Sequence, residues 1–254
     1  KITPDKDGLL SKEEFLNALQ KDTFLVSIML ANNEIGVVQP LEMISDICKS
    51  RKIILHSDAA QCTGYLPIKS FNSIANMITI SSHKIYGPKG VGLLLIDENI
   101  TINPLIIGGG QEFGLRSGTL PVPLVVGFAK AIEIAIRNQE QNTLKLLTLR
   151  DKLLDGIYKD NSNFYINGSM QKRLPHNLNI TFPNVSGSLL HKRLKSKIIC
   201  SSGSACSNGK PSHVLLAIGR SFKEAEASIR LSIGLNTSLE DVELSAKYII
   251  EIIN

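Results

Sequence analysis

The sequence has no tryptophan, few aromatic residues (5% of 254) and no long apolar run. Without such a run it cannot place a helix across a bilayer, and we expect a cytoplasmic protein with no membrane partner. The scarcity of aromatic side chains argues against a protein that stacks single-stranded nucleic acid, so direct nucleic-acid binding is not expected. The net charge of +5 does not require nucleic acid either; it fits an anionic small molecule or an acidic partner.

The four cysteines, Cys48, Cys62, Cys200 and Cys206, form no Cys-x-x-Cys pair and have no histidine at zinc-finger spacing. A metal site made by protein ligands alone is therefore not expected. So few cysteines in a chain of this length do not indicate a disulfide framework, and one or more of them can be a reactive thiol. The sequence starts at a lysine and not at methionine, which suggests a fragment or a processed chain.

Residues 3–14 place acidic side chains at several spacings of a calcium-binding EF-hand loop. The first ligand position is Thr3 instead of aspartate, Pro4 follows it, and no incoming helix precedes the loop. We therefore favour a turn and then a helix, capped by the Ser11 hydroxyl with Glu14 three residues on.

Short apolar runs alternate with helical patterns along the sequence. Strands are predicted over residues 24–30, 53–56, 75–81, 91–96, 176–182, 197–200 and 228–232. Helices are predicted over residues 41–50 and 240–253, and the stretch 122–159 is predicted to be mostly helical. This alternation predicts an α/β fold in which the connections pack on the faces of a sheet.

Two chemically active side chains follow predicted strands. Asp58 ends the second strand, where α/β sheets bind ligands, and three roles are open for it: metal ligand, helix cap or partner of a cationic heterocycle. Lys84 leaves the third strand into a Gly/Pro turn, where we expect partial desolvation to lower its pKa and make its amine a nucleophile; the alternative is a solvated loop lysine. A pyridoxal phosphate site needs a lysine for the aldehyde, a carboxylate for the pyridine nitrogen and donors for the phosphate. Lys84 and Asp58 are candidates for the first two, and Ser81 and Ser82 are suitable phosphate donors.

Three further segments carry candidate groups. The glycines at 108–110 permit close backbone approach to a ligand, and Arg116 and Thr119 add anion donors, although no Walker motif is present. Cys206 lies among small polar residues with a lysine nearby, which favours a thiolate; an incidental surface cysteine is the alternative. Arg230 suits either bidentate carboxylate binding or a salt bridge.

In this order, the motifs resemble those of the cysteine desulfurases, a branch of the class V aminotransferases. The matching strings extend over almost the whole chain and comprise residues 32–36, 58–61, 81–90, 116–119, 202–206 and 228–230. The resemblance implies an α/β protein, a fold-type I pyridoxal-phosphate-dependent transferase with the mostly parallel sheet of an incomplete large domain (1–138) and a smaller α+β C-terminal domain (139–254). It also implies that roughly the N-terminal third of the family pattern, with a phosphate loop and a ring-stacking histidine, has no counterpart here.

The resemblance also assigns the cofactor contacts. Lys84 would bind the aldehyde of pyridoxal phosphate as a Schiff base and then remove the substrate α-proton. Asp58 would pair with the pyridinium nitrogen, and Gln61 would hydrogen-bond the phenolic oxygen. Ser81 and His83 would contact the phosphate, and His83 is counted with Lys84 among the catalytic residues.

The remaining roles concern the substrate and a second subunit. Asn33 would lie beside cofactor and substrate, and Arg230 would bind the substrate carboxylate. Thr119 would reach the phosphate of the other subunit in a homodimer. Cys206 would accept the sulfur, and it could also be a transient iron–sulfur ligand.

The implied function is a cysteine desulfurase that converts L-cysteine into L-alanine and a Cys206 persulfide. The sulfur would pass to an acceptor or iron–sulfur scaffold protein for iron–sulfur cluster assembly or tRNA thiolation. Alternatives are an inactive or partner-dependent fragment, a desulfurase for DNA phosphorothioation, and a selenocysteine lyase. A plain aminotransferase would leave Cys206 without a role. The stretch from Cys206 to His213 is about two residues shorter than in relatives with a long mobile loop.

Overall fold

The computed structural model describes residues 1–67, 71–160, 163–202 and 211–253. It groups the chain into two compact units. The four-stranded unit comprises Asp22–Leu30 and Leu41–Gln139, and the three-stranded unit comprises Lys1–Lys21, Ala31–Pro40 and Glu140–Asn254. The two N-terminal stretches thus group with the C-terminal part of the chain, and the division into domains at residues 138 and 139 stays a prediction.

Helices and short strands alternate along much of the chain. The helices are α1 (Lys12–Ala18), α2 (Leu41–Ser50), α3 (Phe71–Ile74), α4 (Val122–Arg137), α5 (Gln139–Asp160), α6 (Gly187–Leu194), α7 (His213–Ala217), α8 (Phe222–Glu226) and α9 (Leu239–Ile253). The strands are β1 (Leu25–Met29), β2 (Ile54–Asp58), β3 (Met77–Ser81), β4 (Gly92–Ile96), β5 (Tyr165–Ile166), β6 (Asn177–Thr181) and β7 (Ser228–Ser232). None of the described helices is long and apolar enough to cross a membrane.

The four-stranded unit is built on the sheet β1-β2-β3-β4. Its first three strands are parallel, and β4 runs antiparallel to β3. The predicted mostly parallel sheet is therefore confirmed. Side chains alternate across the sheet, so Val26, Leu55 and Ile78 are buried while His56 and Asp58 lie on the less buried face. Helix α2, with its own buried apolar stripe, packs against β2.

The three-stranded unit is built on the antiparallel sheet β5-β6-β7. All five residues of β6 are buried. Helix α5 buries an apolar stripe with helical spacing, Leu146, Leu149, Leu153 and Ile157. It also approaches α9 closely, because a Cβ on Gly156 would lie 2.7 Å from the Cβ of Ala246.

The stretch 122–159, predicted to be mostly helical, holds the two helices α4 and α5, which are separated at Asn138. One predicted element differs from the structure. The strand predicted over 197–200 is wrong, because the amides of Lys197 and Ile198 close a turn on the Leu194 carbonyl at the end of α6. The predicted cap of α1 is confirmed: Ser11 Oγ accepts a hydrogen bond from Glu14 N at 3.1 Å.

Candidate active site

Lys84 lies in a 3₁₀ turn, Ser82–Ile85, that directly follows β3. Ser82 and Ile85 are buried and hold the turn on the unit, while His83 and Lys84 are exposed. The turn needs glycine at its end, since a Cβ on Gly87 would lie 2.3 Å from Ser82 Oγ. The expected partial desolvation of Lys84 is not found in the structure, because the residue is exposed.

Asp58 is the last residue of β2, and its strand is the parallel neighbour of β3. Its Oδ1 accepts a hydrogen bond from Ala60 N at 2.9 Å, so the carboxylate caps a turn and no helix begins there. Within the described part of the chain, no Lys, Arg or His nitrogen lies within salt-bridge distance of it. Burial and the Asp58 charge both raise the pKa of the Cys62 thiol. Among the described residues, the second carboxylate oxygen of Asp58 thus has no hydrogen-bond donor and no basic partner.

Further polar groups lie at the ends of the same two strands. Ser81 Oγ and His83 Nδ1 are 3.0 Å apart, at the carboxyl end of β3. Gln61 is partly buried in the turn that follows Asp58. Because β2 and β3 are neighbouring parallel strands, their ends bring Asp58, Gln61, Ser81, His83 and Lys84 to one edge of the sheet.

Thr119 lies in an exposed loop of the same unit. The glycine-rich stretch before it is closed by hydrogen bonds from Gly118 N to Gln111 Oε1 (2.9 Å) and from Gly110 N to Ser117 Oγ (3.2 Å). No hydrogen bond to the Thr119 side chain is found among the described residues. Its hydroxyl is therefore free to meet a group from outside this loop.

Asn33 and Arg230 belong to the three-stranded unit and lie together. Arg230, in the centre of β7, donates from Nη1 to the Asn33 carbonyl at 3.1 Å. Its Nε is buried with no hydrogen-bond partner in the described chain, and no carboxylate there pairs with it. A partly buried guanidinium with unused donors fits an anionic ligand such as a carboxylate.

Cys206 lies outside the described residues, as does most of the small polar stretch around it. The three described thiols are poor nucleophiles: burial raises the pKa of Cys48, Cys62 and Cys200. Since the thiolate is the reactive form, the raised pKa values do not favour any of these three thiols as the sulfur acceptor.

The class V aminotransferase family model matches residues 1–244. The chain belongs to this family. A cysteine desulfurase IscS of Histophilus somni (strain 2336) is 44% identical over 248 residues, which cover 96% of this chain and 61% of that relative. A solved NifS-like protein has a TM-score of 0.89 at 37% identity, covering 99% of this chain and 67% of its own. SspA, solved in complex with cysteine, has a TM-score of 0.74 at 36% identity, covering 91% of this chain and 65% of its own.

This class V aminotransferase chain thus spans about three fifths of the length of the relatives it matches. Membership confirms the predicted fold class, the resemblance to cysteine desulfurases and pyridoxal phosphate as the cofactor. The residues present fit that cofactor: an exposed lysine amine, a carboxylate without a basic partner for a protonated ring nitrogen, and a hydroxyl and an imidazole for a phosphate.

Two features of the site escaped sequence analysis. His56 lies two residues before Asp58 on the same face of β2, and its ring is held by Ser27 Oγ (2.8 Å) and Thr79 Oγ1 (2.9 Å) on the flanking strands. Glu34, beside Asn33, is fully buried. Both residues stand in or next to the strings that carry the resemblance. For His56, the available signal was an ionisable residue that follows an apolar strand pattern.

Proposed function

We propose that this chain supplies the lysine, the carboxylate and the cysteine of a cysteine desulfurase that converts L-cysteine into L-alanine and a Cys206 persulfide. The observation that carries the proposal is the placement of Lys84 and Asp58 at the carboxyl ends of neighbouring parallel strands. The identity of 44% to a relative named cysteine desulfurase supports it. The structure of SspA with cysteine supports cysteine as the substrate.

Five residues of the four-stranded unit would hold the cofactor. Lys84 would bond to its aldehyde carbon, Asp58 would keep its ring nitrogen protonated, and Gln61 would donate to its phenolic oxygen. Ser81 and His83 would contact its phosphate. When bound, pyridoxal phosphate withdraws electrons from the substrate α-carbon and so weakens the bonds around it.

The chain's own groups would then bind the substrate and move its proton and sulfur. Arg230 would bind the substrate carboxylate through a bidentate contact, with Asn33 beside it. The Lys84 amine would take the α-proton. The Cys206 thiolate would form an S–S bond with the substrate sulfur while the C–S bond breaks and its electrons stay with the substrate carbon. That carbon would take up a proton, so cysteine plus thiol gives alanine plus persulfide.

The persulfide would pass to a sulfur-acceptor or iron–sulfur scaffold protein, for iron–sulfur cluster assembly or tRNA thiolation. We further propose a cytoplasmic homodimer in which Thr119 contacts the phosphate of the other subunit. Exposed apolar side chains in the Thr119 loop support an interface there, with Leu105 and Phe113 almost fully exposed.

The first test is covalent trapping of the cofactor. The purified chain is incubated with pyridoxal phosphate, reduced with borohydride and mapped by mass spectrometry. We expect the label on Lys84 and none in Lys84→Ala. Lys89→Ala is the matched control, because Lys89 is an exposed lysine of the same turn region. A label spread over surface lysines would show that the chain does not form the proposed cofactor site.

The second test follows the sulfur. With L-cysteine, we expect alanine and a persulfide on Cys206, and neither in Cys206→Ser, which should still take the borohydride label. Cys200→Ser should keep the reaction, because burial raises the pKa of Cys200 and leaves it little thiolate. A persulfide on Cys200, Cys48 or Cys62 in the unmodified chain would contradict the assignment.

A further inference from the structure

Glu34 is a buried acidic residue, 1% exposed, that the proposed reaction leaves without a role. Its Oε2 accepts a hydrogen bond from Ser212 Oγ. The same Ser212 oxygen accepts a hydrogen bond from Leu215 N, at 3.1 Å, in the first turn of α7. The Ser212 hydroxyl therefore donates a hydrogen bond to the Glu34 carboxylate and accepts one from the backbone of α7. Burying a carboxyl group costs free energy unless it is hydrogen-bonded. The bond to Ser212 meets that requirement and links two parts of the chain that are distant in sequence.

The backbone of Glu34 is held as firmly as its side chain. Asn32 Oδ1 accepts hydrogen bonds from the amides of Glu34 (2.8 Å) and Ile35 (3.0 Å). On the other side, Asn177 Nδ2 and Asn179 Nδ2, both on β6, donate to the Glu34 carbonyl at 3.2 and 3.1 Å. Residues 32–36 thus form a fixed turn, which we call the Glu34 turn.

The Glu34 turn also supports Arg230, because the Asn33 carbonyl accepts the hydrogen bond from Arg230 Nη1. Arg230 in turn pairs with Ser201 through two backbone hydrogen bonds, Ser201 N to Arg230 O (3.1 Å) and Arg230 N to Ser201 O. Ser201 and Ser212 stand on either side of residues 203–210, the stretch that includes Cys206. Ser201, which precedes that stretch, is therefore bonded to Arg230, and Ser212, which follows it, is bonded to Glu34.

We propose that Glu34 is a positioning residue: through Ser212 it ties the turn that supports Arg230 to the chain end that follows the Cys206 stretch. The proposal rests on the proposed function, in which cysteine is bound by its carboxylate at Arg230 while its sulfur is taken by Cys206. The described residues on the two sides of the Cys206 stretch, Ser201 and Ser212, are thus bonded to Arg230 and to Glu34. In this proposal, those bonds orient the reacting groups. Such placement governs the rate of a reaction more than the affinity for its substrate.

The isosteric variant Glu34→Gln separates this role from folding. It keeps the side-chain size, and the backbone bonds of the Glu34 turn do not involve the carboxylate. It replaces a charge-assisted hydrogen bond with a weaker neutral one. The support of Arg230 stays, so we expect KM for L-cysteine to change little, while kcat for persulfide formation on Cys206 falls about tenfold.

The experiment uses the purified chain loaded with pyridoxal phosphate and L-cysteine as the probe. Ser212→Ala should lower kcat like Glu34→Gln, and Ser212→Thr, which keeps the hydroxyl, should restore it. Ser221→Ala is the matched control: Ser221 caps α8, another five-residue helix of the same unit, and has no bond to Glu34. An unchanged kcat in Glu34→Gln, or an equal loss in Ser221→Ala, would overturn the proposal.

A second measurement does not depend on turnover. In the cofactor-free chain, the iodoacetamide alkylation rate of Cys206 is compared with that of Cys200 by mass spectrometry. We expect this ratio to change about threefold in Glu34→Gln and Ser212→Ala, as the charge-assisted bond is lost, and to stay constant in Ser221→Ala. A wild-type chain that forms no persulfide would contradict the proposed function. The alkylation ratio would still test the role of Glu34, and a ratio that stays constant in Glu34→Gln would overturn that role.

Discussion

Arg230 differs from the two buried arginines of the three-stranded unit in what its guanidinium contacts. Arg173 satisfies its donors with main-chain carbonyls and Asn177 Oδ1, and burial together with the charge of Arg150 lowers its pKa to about 9. Arg150 pairs with Asp151. Arg230 has one bond to a carbonyl and a buried Nε without a partner in the described chain. A buried donor without a partner costs free energy. A ligand that accepts a hydrogen bond from Arg230 Nε would remove this cost.

Replacing Arg230 by glutamine should therefore act on substrate binding. A lost charged bidentate contact should raise KM for L-cysteine by about 10- to 100-fold, and Arg230→Lys should recover only part of it because ammonium lacks the planar fork. The steady-state rate of alanine release at varied L-cysteine concentrations measures KM in both variants. Arg193→Gln, an exposed arginine of the same unit, should leave KM unchanged. A normal KM in Arg230→Gln would assign carboxylate binding elsewhere.

The Glu34 turn depends on one glycine. Gly36 has a φ of +70°, and a Cβ there would lie 2.5 Å from Asn177 Oδ1. Gly36→Ala should therefore lose about 3 kcal/mol of the free energy of unfolding, from backbone strain plus displacement of the Asn177 side chain. Chemical denaturation measures this loss.

Gly219 provides the control for backbone strain alone. It has a φ of +90° in the same unit, but nothing lies within 4 Å of the position that a Cβ would take, so Gly219→Ala should cost about 1 kcal/mol. Equal losses in the two variants would mean that the close approach to Asn177 does not constrain the turn.

The elements that sequence predicts well are those whose local pattern and burial agree. The apolar run at 24–30 became β1, and the helix predicted over 41–50 has those bounds, because its apolar stripe packs on the sheet. The strand predicted over 197–200 is wrong, and Ile199 in that run is fully exposed. An apolar run forms a strand only where its side chains can pack against neighbouring strands of a sheet.

The candidate site divides in the same way. Lys84, Asp58 and Arg230 stand at strand ends or on a strand, where local patterns locate them. The exposure of Lys84 and the bond between Glu34 and Ser212 depend on long-range packing, since the two bonded residues are 178 positions apart. A single sequence holds no local signal for such a pair.

At the scale of the whole molecule, the four-stranded unit exposes several large apolar side chains in one segment, and a contiguous group of this kind is typical of an interaction surface. Leu105, Ile107 and Phe113 are 98, 86 and 99% exposed, and Val122, Val125 and Val126 at the start of α4 are also exposed. The same segment holds Thr119, which would contact the phosphate bound by the other subunit of the proposed homodimer. Charge does not oppose association strongly, since a net charge of +5 on 254 residues is modest.

We therefore expect the chain to dimerise through this segment, measured by sedimentation velocity over a range of concentrations. Burying one Phe side chain contributes about 1.5–3 kcal/mol, and a two-fold dimer buries it twice, so Phe113→Ser should weaken the dimer by at least about 100-fold. Phe24→Ser is the matched control, because Phe24 is an exposed phenylalanine of the same unit outside the segment. A monomer at every concentration, or a dimer that Phe24→Ser weakens as much as Phe113→Ser, would place the interface elsewhere and leave Thr119 without its proposed partner phosphate.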